Sequence, residues 1–303
     1  NLTGLKQHTG NWPGKTVATA QGKYSFKGND FILIDLPGTY SLMANSAEEE
    51  IARDFICFGG PDAVVVVADA TCLERNLNLV LQTLEISANV VVCVNLMDEA
   101  KRKRIKIDLA GISQKLGVPV VGTIARKKRN LSNLLQAIDS VVDGEFCGSS
   151  LQVRYPQVIE DAISIVEPAI QSKIGNRLNS RWLSLKLLDQ DNSLIEEISS
   201  YFGEDFLNDP EISDALKQAG ELLPKQGITS DTIKDLVVAS LVRTAEGVCR
   251  DTVSFEKETY NDTDRKIDRI LTSKQAGYPI MLALLAFIFW LTITGANYPS
   301  QMI

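Results

Sequence analysis

Histidine is almost missing from this sequence. His8 is the only one in 303 residues, which nearly excludes a histidine-based catalytic triad or a multi-histidine zinc site. Cysteine is sparse and unpaired in pattern: Cys57, Cys72, Cys93, Cys147 and Cys249 form no CxxC, so free thiols in a reducing compartment are expected. An excess of basic residues is missing too. The formal net charge is −7, which argues against a nucleic-acid partner, since phosphate binding needs a basic face. Charge of either sign vanishes from Gln275 to Ile303. A phosphate-loop pattern is also absent. The nearest stretch is GNWPGKTV, Gly10 to Val17, but a glycine separated by four residues from Gly-Lys-Ser/Thr would have to stand at Thr9. Gly10 is one place too close, and Asn1 to His8 holds no apolar strand to precede such a loop.

What is present first is a series of short, mostly β-branched apolar runs: Phe31–Pro37, Ala63–Asp69, Val90–Asp98 and Val118–Ala125. Consecutive apolar positions are how strands buried on both faces of a parallel sheet read. Amphipathic stretches lie between and after them, at Ala47–Cys57, Glu74–Glu85, Asp108–Leu116 and Leu131–Val142. Alternation of this kind predicts right-handed crossovers and a doubly wound α/β sheet. KYSF-KGND-FILID predicts a hairpin turning at Gly28, Asn29 and Asp30, which makes KTVATAQGKYSF an antiparallel edge strand. Two basic runs, Lys101–Arg104 and Arg126–Arg129, follow strand ends. Each reads as a solvated loop or, near a bilayer, as a contact for anionic lipid.

The β-rich pattern stops near Gly144–Ser150. From Leu151 to about Asp264, apolar residues recur at three- and four-residue steps, which predicts an all-helical second domain. In Asp264–Lys274, Ile267, Ile270 and Leu271 suit a short amphipathic helix at a membrane surface. Beyond it, Tyr278–Gly295 is apolar over the length expected of a membrane span. Arg265, Lys266, Arg269 and Lys274 on its upstream flank place residues 1–274 on the cytosolic side. The expected division is 1–147, 148–264 and 265–303. The chain opens on Asn, so it is expected to begin inside a longer protein.

Two motifs sit at strand ends, where α/β folds bind ligands. Asp35-Leu36-Pro37-Gly38 offers a carboxylate for magnesium and a glycine whose N–H can approach a γ-phosphate. Asn95-Leu96-Met97-Asp98 offers an amide and a carboxylate. That carboxylate can accept from the N1–H and 2-amino group of guanine, donors that adenine lacks. Each motif alone also reads as an ordinary turn. A Thr-bearing loop followed by strands ending in DxxG, NxxD and Thr123-Ile124-Ala125, in that order, is the layout of a GTPase domain. In that layout GNWPGKTV falls at the first switch loop, and Thr16 is the hydroxyl that binds magnesium when the γ-phosphate is present.

Taken together, GNWPGKTV, DLPGTYSL (Asp35–Leu42), DATCLERNL (Asp69–Leu77), NLMDEA (Asn95–Ala100) and ITGANYPS (Ile293–Ser300) resemble FeoB, the ferrous iron transport protein B family, along the whole chain. The resemblance implies a P-loop GTPase-like doubly wound sheet, lacking its first strand and P-loop, then a helical domain like a guanine-nucleotide-dissociation inhibitor and one transmembrane helix. It implies GTP-dependent uptake of ferrous iron across the bacterial cytoplasmic membrane, with the multi-pass parent carrying the rest of the membrane region. The nucleotide site it implies is Gly14, Lys15 and Thr16 in switch I, Asp35, Leu36, Pro37 and Gly38 on the phosphate side, Asn95, Leu96, Met97 and Asp98 on guanine, and Thr123, Ile124 and Ala125 over the base. Magnesium falls to Thr16 and, through water, Asp35. GTP or GDP, Mg2+, K+ in some members, and transported Fe2+ are the implied ligands. Membrane lipid, small Feo accessory proteins and a second copy of the chain are the implied partners.

Two departures from the family pattern stand out. Leu96 replaces the lysine of NKxD, and Ile124 stands where serine is more usual, which leaves the Ala125 N–H as the base contact. No glutamine follows Gly38; Thr39 and Tyr40 do, which predicts slow hydrolysis. Without the phosphate loop and its strand, this stretch is expected to bind GTP very weakly and to expose strand edges on both neighbours. Two other functions fit less of the pattern: a nucleotide-sensing module that gates a membrane channel without hydrolysis, and an RNA- or ribosome-associated GTPase.

Overall fold

The computed structural model describes residues 8–11, 18–43, 46–146, 150–225, 227–255, 273 and 277–300. Asn1–Phe255 form one compact unit and Glu256–Ile303 a second.

The hairpin read from KYSF-KGND-FILID is present as β2 (Ala18–Phe26) and β3 (Asn29–Asp35). Phe26 pairs with Asn29, so the loop is the two residues Lys27 and Gly28. Both have positive φ, +50° and +91°, the left-handed pair that matches a tight turn to the twist of its strands. The turn is thus one residue earlier than the Gly-Asn-Asp reading placed it. Tyr24 stacks on its cross-strand partner Phe31 at 4.9 Å. β1 (His8–Asn11) pairs antiparallel with β2, so β2 is the middle strand of three and not an edge. The periodicity missed β1 because its four residues, HTGN, carry no apolar signal.

The second sheet is parallel: β4 (Val64–Asp69), β5 (Val90–Asn95) and β7 (Val120–Gly122), in the order β4-β5-β7. Helices cover both faces. Val90, Val92 and Val94 face a core shared with α2 (Leu73–Ile86), while Val91 and Cys93 meet Leu134, Ile138 and Val141 of α5 (Leu131–Val142). Five consecutive buried residues in β5 bear out the double-faced reading there. It fails for β3 and β4, where Ile32 is 65% and Val67 59% exposed. Each of those strands ends its sheet, so among the described strands neither has a neighbour on one side.

α1 (Ala47–Phe58) starts at Ser46, whose hydroxyl accepts from the Glu49 N–H, with Glu48, Glu49 and Glu50 in the first turn beside the positive end of the helix. After β5 come α3 (Met97–Arg102), β6 (Ile105–Ile107) and α4 (Leu109–Leu116), the last capped by Asp108. Five helices follow: α6 (Gln157–Ile174), α7 (Ser180–Leu188), α8 (Asn192–Phe202), α9 (Pro210–Lys225) and α10 (Ser230–Thr252). They are not a separate body. α10 packs on α2 and α4, and one continuous core runs from β5 through α2 to Leu183 and Trp182 of α7. A short strand, β8 (Val253–Phe255), returns to pair with β6. Three residues are too few for a strand pattern to register in the sequence.

Arg53 of α1, fully buried, ties that helix to α8. It donates to Asp54 through Nε and Nη2 (3.0 and 2.8 Å), to Asp191 (3.1 Å) and to Ser193 (3.2 Å).

In the second unit, α11 (Gly277–Ser300) contains the predicted membrane span. Among the described residues, no helix is long and apolar enough to cross a membrane. Side chains of α11 are described only through Thr292, and that stretch rises about 24 Å against a hydrocarbon layer of about 30 Å. Its large side chains are exposed, among them Leu282, Phe287 and Trp290.

Candidate guanine-nucleotide site

The carboxyl edge of the parallel sheet gathers most of the predicted residues. Asp69 and Asn95 are register partners at the ends of β4 and β5. Directly after Asn95, Leu96 adopts a left-handed conformation (φ +62°) that turns the chain into α3. That conformation costs an ordinary side chain about 1 kcal/mol and favours Gly or Asn, so a leucine there carries no sign of it. The turn sets Asp98 in the first turn of a helix, facing the neighbouring loop.

That loop follows β7. Thr123, fully buried, donates through its N–H to Val94 O (2.8 Å), and its carbonyl accepts from the Met97 N–H (3.3 Å). The Thr123 hydroxyl donates to Asn95 Oδ1 (3.2 Å) and lies 3.3 Å from Cys93 Sγ. The Ala125 N–H also donates to Asn95 Oδ1 (3.0 Å). Asn95 is therefore a clamp between two loops, with its oxygen committed to the protein. Ile124 sits in an isolated bridge with Arg129, and Ala125 opens a 3₁₀ turn, Ala125–Lys127.

Gly122 leaves no room for a side chain: a Cβ there would lie 2.6 Å from Leu109 Cδ1 and 3.3 Å from Met97 Cγ. Asn130, left-handed at φ +60°, donates to the Gly122 carbonyl (2.9 Å) and starts α5. Met97 thus packs beneath the loop. Gly122 and Asn130 position the site, and the motif reading did not include them.

Asp98 is where the predicted chemistry is most exposed to test. Its Oδ2 accepts from Arg126 Nη2 (2.6 Å) and Lys127 Nζ (3.2 Å), while Oδ1 is buried with no partner among the described residues. The hydrogen bond from Arg126 is the main reason its carboxyl is held below the usual carboxylate range. The basic run at Arg126 is accordingly not a wholly solvated loop; its first two residues face the site. Their place immediately after TIA was the signal for them.

Asp35, Leu36, Pro37 and Gly38 leave β3 at its carboxyl end, with Asp35 exposed and Leu36 packed against the main core. The loop then runs along α2. Tyr40 lies under the Arg75 guanidinium (4.9 Å) in the first turn of that helix, beside the carboxyl end of β4. The Leu42 N–H donates to Gln82 Oε1 (2.6 Å), which also accepts from the Ser41 hydroxyl (3.2 Å). Of these contacts, Tyr40 on Arg75 lies nearest the edge that holds Asn95. Thr39 is committed locally, donating to Ser41 O (2.5 Å) and accepting from the Ser41 N–H (3.1 Å). Gly14, Lys15 and Thr16 lie outside the described residues.

Behind this loop lies a second charged cluster. The Tyr155 hydroxyl donates to Glu85, three residues after Gln82 on α2, while Arg181 pairs with Glu160 (2.6 and 2.8 Å). Burial pushes the Glu85 carboxyl up to about 7 against the lowering effects of Tyr155, Lys186 and Arg181. Cys57, Cys72, Cys93 and Cys249 are free thiols, and among the described residues no group of three His, Cys, Asp or Glu could hold a metal ion.

A G-domain-like α/β sheet with its loops gathered at the carboxyl edge, followed by a helical domain packed on it, defines the class. Family models agree: residues 1–138 match ferrous iron transport protein B, and residues 155–254 match the FeoB cytosolic helical domain. This chain belongs to the ferrous iron transport protein B family. It is 28% identical over 299 residues to the Fe(2+) transporter FeoB of Staphylococcus aureus, and 29% identical over 314 residues to a Porphyromonas gingivalis fusion of Fe(2+) transport protein A with Fe(2+) transporter FeoB. Those alignments take in 98% and 99% of this chain but 43% and 36% of the relatives. A structure of the cytosolic domain of T. maritima FeoB in a GDP form matches with a TM-score of 0.67 at 30% identity, covering 84% of this chain and 92% of that one.

Proposed function

We propose that this chain is the nucleotide-binding and adjoining part of a longer protein that takes up ferrous iron across the bacterial cytoplasmic membrane, with residues 1–274 on the cytosolic side. The observation that carries the nucleotide reading is the Asp98 carboxylate, which offers one buried, unpartnered oxygen at a sheet edge already braced by Asn95, Thr123 and Ala125. Guanine presents two adjacent donors, and a carboxylate is the matching double acceptor. Ala125 and Met97 flank the base, and Asp35 to Gly38 face the phosphates.

Magnesium suits the donor set: an exposed Asp35 carboxylate at a strand end and, in switch I, the Thr16 hydroxyl are hard oxygen ligands. When bound, Mg2+ neutralises charge building on the phosphates. Hydrolysis is slow, because the Thr39 hydroxyl is tied into its own turn and Tyr40 lies against Arg75, so neither orients the attacking water. K+ activation, a second copy of the chain, and a small Feo partner belong to the same proposal, the last supported by the natural fusion in P. gingivalis. The exposed apolar side chains of α11 find their cover in the membrane part of the longer protein.

The test is GTP turnover by the full-length protein in vesicles, with uptake of Fe2+ followed in parallel. Guanine-specific turnover that rises and falls with uptake supports the proposal. Nucleotide binding without turnover would favour a sensing module, and turnover with no link to Fe2+ would refute the transport reading.

A further inference from the structure

We propose that Arg126, backed by Lys127, is a resident competitor for the Asp98 carboxylate, so that guanine enters by exchanging an ion pair for base hydrogen bonds. The inference rests on reading Asp98 as the guanine acceptor. Guanine needs both carboxylate oxygens, one for N1–H and one for the 2-amino group. Here Oδ1 is buried and without a partner among the described residues, while Oδ2 is held at 2.6 Å by Arg126 and 3.2 Å by Lys127. Only one of the two base bonds can therefore form until the guanidinium moves.

The exchange has a built-in resting place. Arg126 Nη2 also lies 3.3 Å from Glu99 Oε1, one residue beyond Asp98 on α3. A small rotation releases Asp98 and keeps an anionic partner. The arrangement is economical in sequence: the 3₁₀ turn Ala125–Lys127 braces Asn95 through the Ala125 N–H and covers Asp98 through the next two side chains. Arg126 is about half exposed (56%), so the pair is screened and its effect on binding is modest. A pair of that kind is worth about a two- to fivefold change in affinity. Arg126 is a positioning residue: it lowers guanine affinity and shortens residence without touching the phosphates.

The test is binding of a fluorescent GDP to the full-length protein at about 50 mM and about 1 M NaCl, where screening lengths differ severalfold. Arg126→Ala should bind about two- to fivefold more tightly than wild type at low salt, with the ratio falling toward one at high salt. Arg126→Lys should behave as wild type, and Arg126→Gln repeats the measurement if the alanine variant does not fold. Unchanged or weaker binding in Arg126→Ala at low salt overturns the inference. Failure of the underlying reading looks different: the wild type would show no preference for GDP over ADP. In that case the pairing is still decided by an NMR titration of the Asp98 carboxyl in the nucleotide-free 303-residue chain. Its midpoint should rise toward the ordinary range in Arg126→Ala, and an unmoved midpoint overturns the inference.

Discussion

In the parallel sheet, Val90 to Val94 are all buried, both faces carry helices, and the loops beyond Asn95 and Gly122 are locked by four hydrogen bonds through Thr123 and Asn95. In the antiparallel sheet, β3 leaves Ile32 and Asp35 exposed, and the loop beyond Gly38 is anchored on α2 through Leu42 and Gln82. The contrast separates two tasks. The proposed base side is braced by hydrogen bonds within this chain. The proposed phosphate side is tied to α2 only beyond Gly38, through Tyr40, Ser41 and Leu42, which suits a loop that must answer to what the nucleotide carries.

The sharpest way to break this comparison is to cut the link between the sheet's helices and the helical domain. Arg53→Ala leaves Asp54 and Asp191 without their buried cation and should cost about 3–5 kcal/mol of stability, read by urea unfolding of the 303-residue chain. A loss under about 1 kcal/mol would mean that the domains do not depend on this tie. Next in size is a matched pair. Val92→Ala, fully buried in β5, should cost about 2 kcal/mol, whereas Ile32→Ser, largely exposed in β3, should stay within about 0.5 kcal/mol. Equal losses would erase the distinction between the two halves.

A pH measurement probes the junction behind the loop. Glu85 keeps its proton up to about 7 in the folded chain, while the unfolded chain releases it near 4.5. The unfolded state therefore binds fewer protons across that window, and stability should fall as pH rises from about 4.5 to about 7. With its partial exposure allowed for, the loss should be about 2 kcal/mol. Glu85→Gln, which keeps a neutral acceptor for the Tyr155 hydroxyl, should flatten that slope. A slope unchanged in the variant would assign the pH dependence to another group.

The long elements were legible because burial imposes periodicity on sequence. Leu131–Val142 is a helix with the bounds that the pattern predicts, and Ala63–Asp69 differs from β4 by one residue. The short pieces were not. β1, β6 and β8 have three or four residues each, and their pairing is set by distant partners. The place of the candidate site was legible where a motif sets polar side chains at strand ends, as at Asn95, Asp98 and Thr123. It was illegible where backbone geometry or a neighbour does the work: the left-handed Leu96, the Cβ-free space at Gly122, and Arg126 on Asp98.

The most direct test of the central claim is nucleotide preference in the full-length protein with Asp98→Asn. The carboxylate accepts from the 2-amino group of guanine, whereas an amide donates to the 2-oxo group of xanthine. The account predicts that the substitution lowers GDP affinity about 100-fold or more and raises XDP affinity, leaving ADP weak throughout. Unaltered preference for GDP in the variant would show that Asp98 does not read the base.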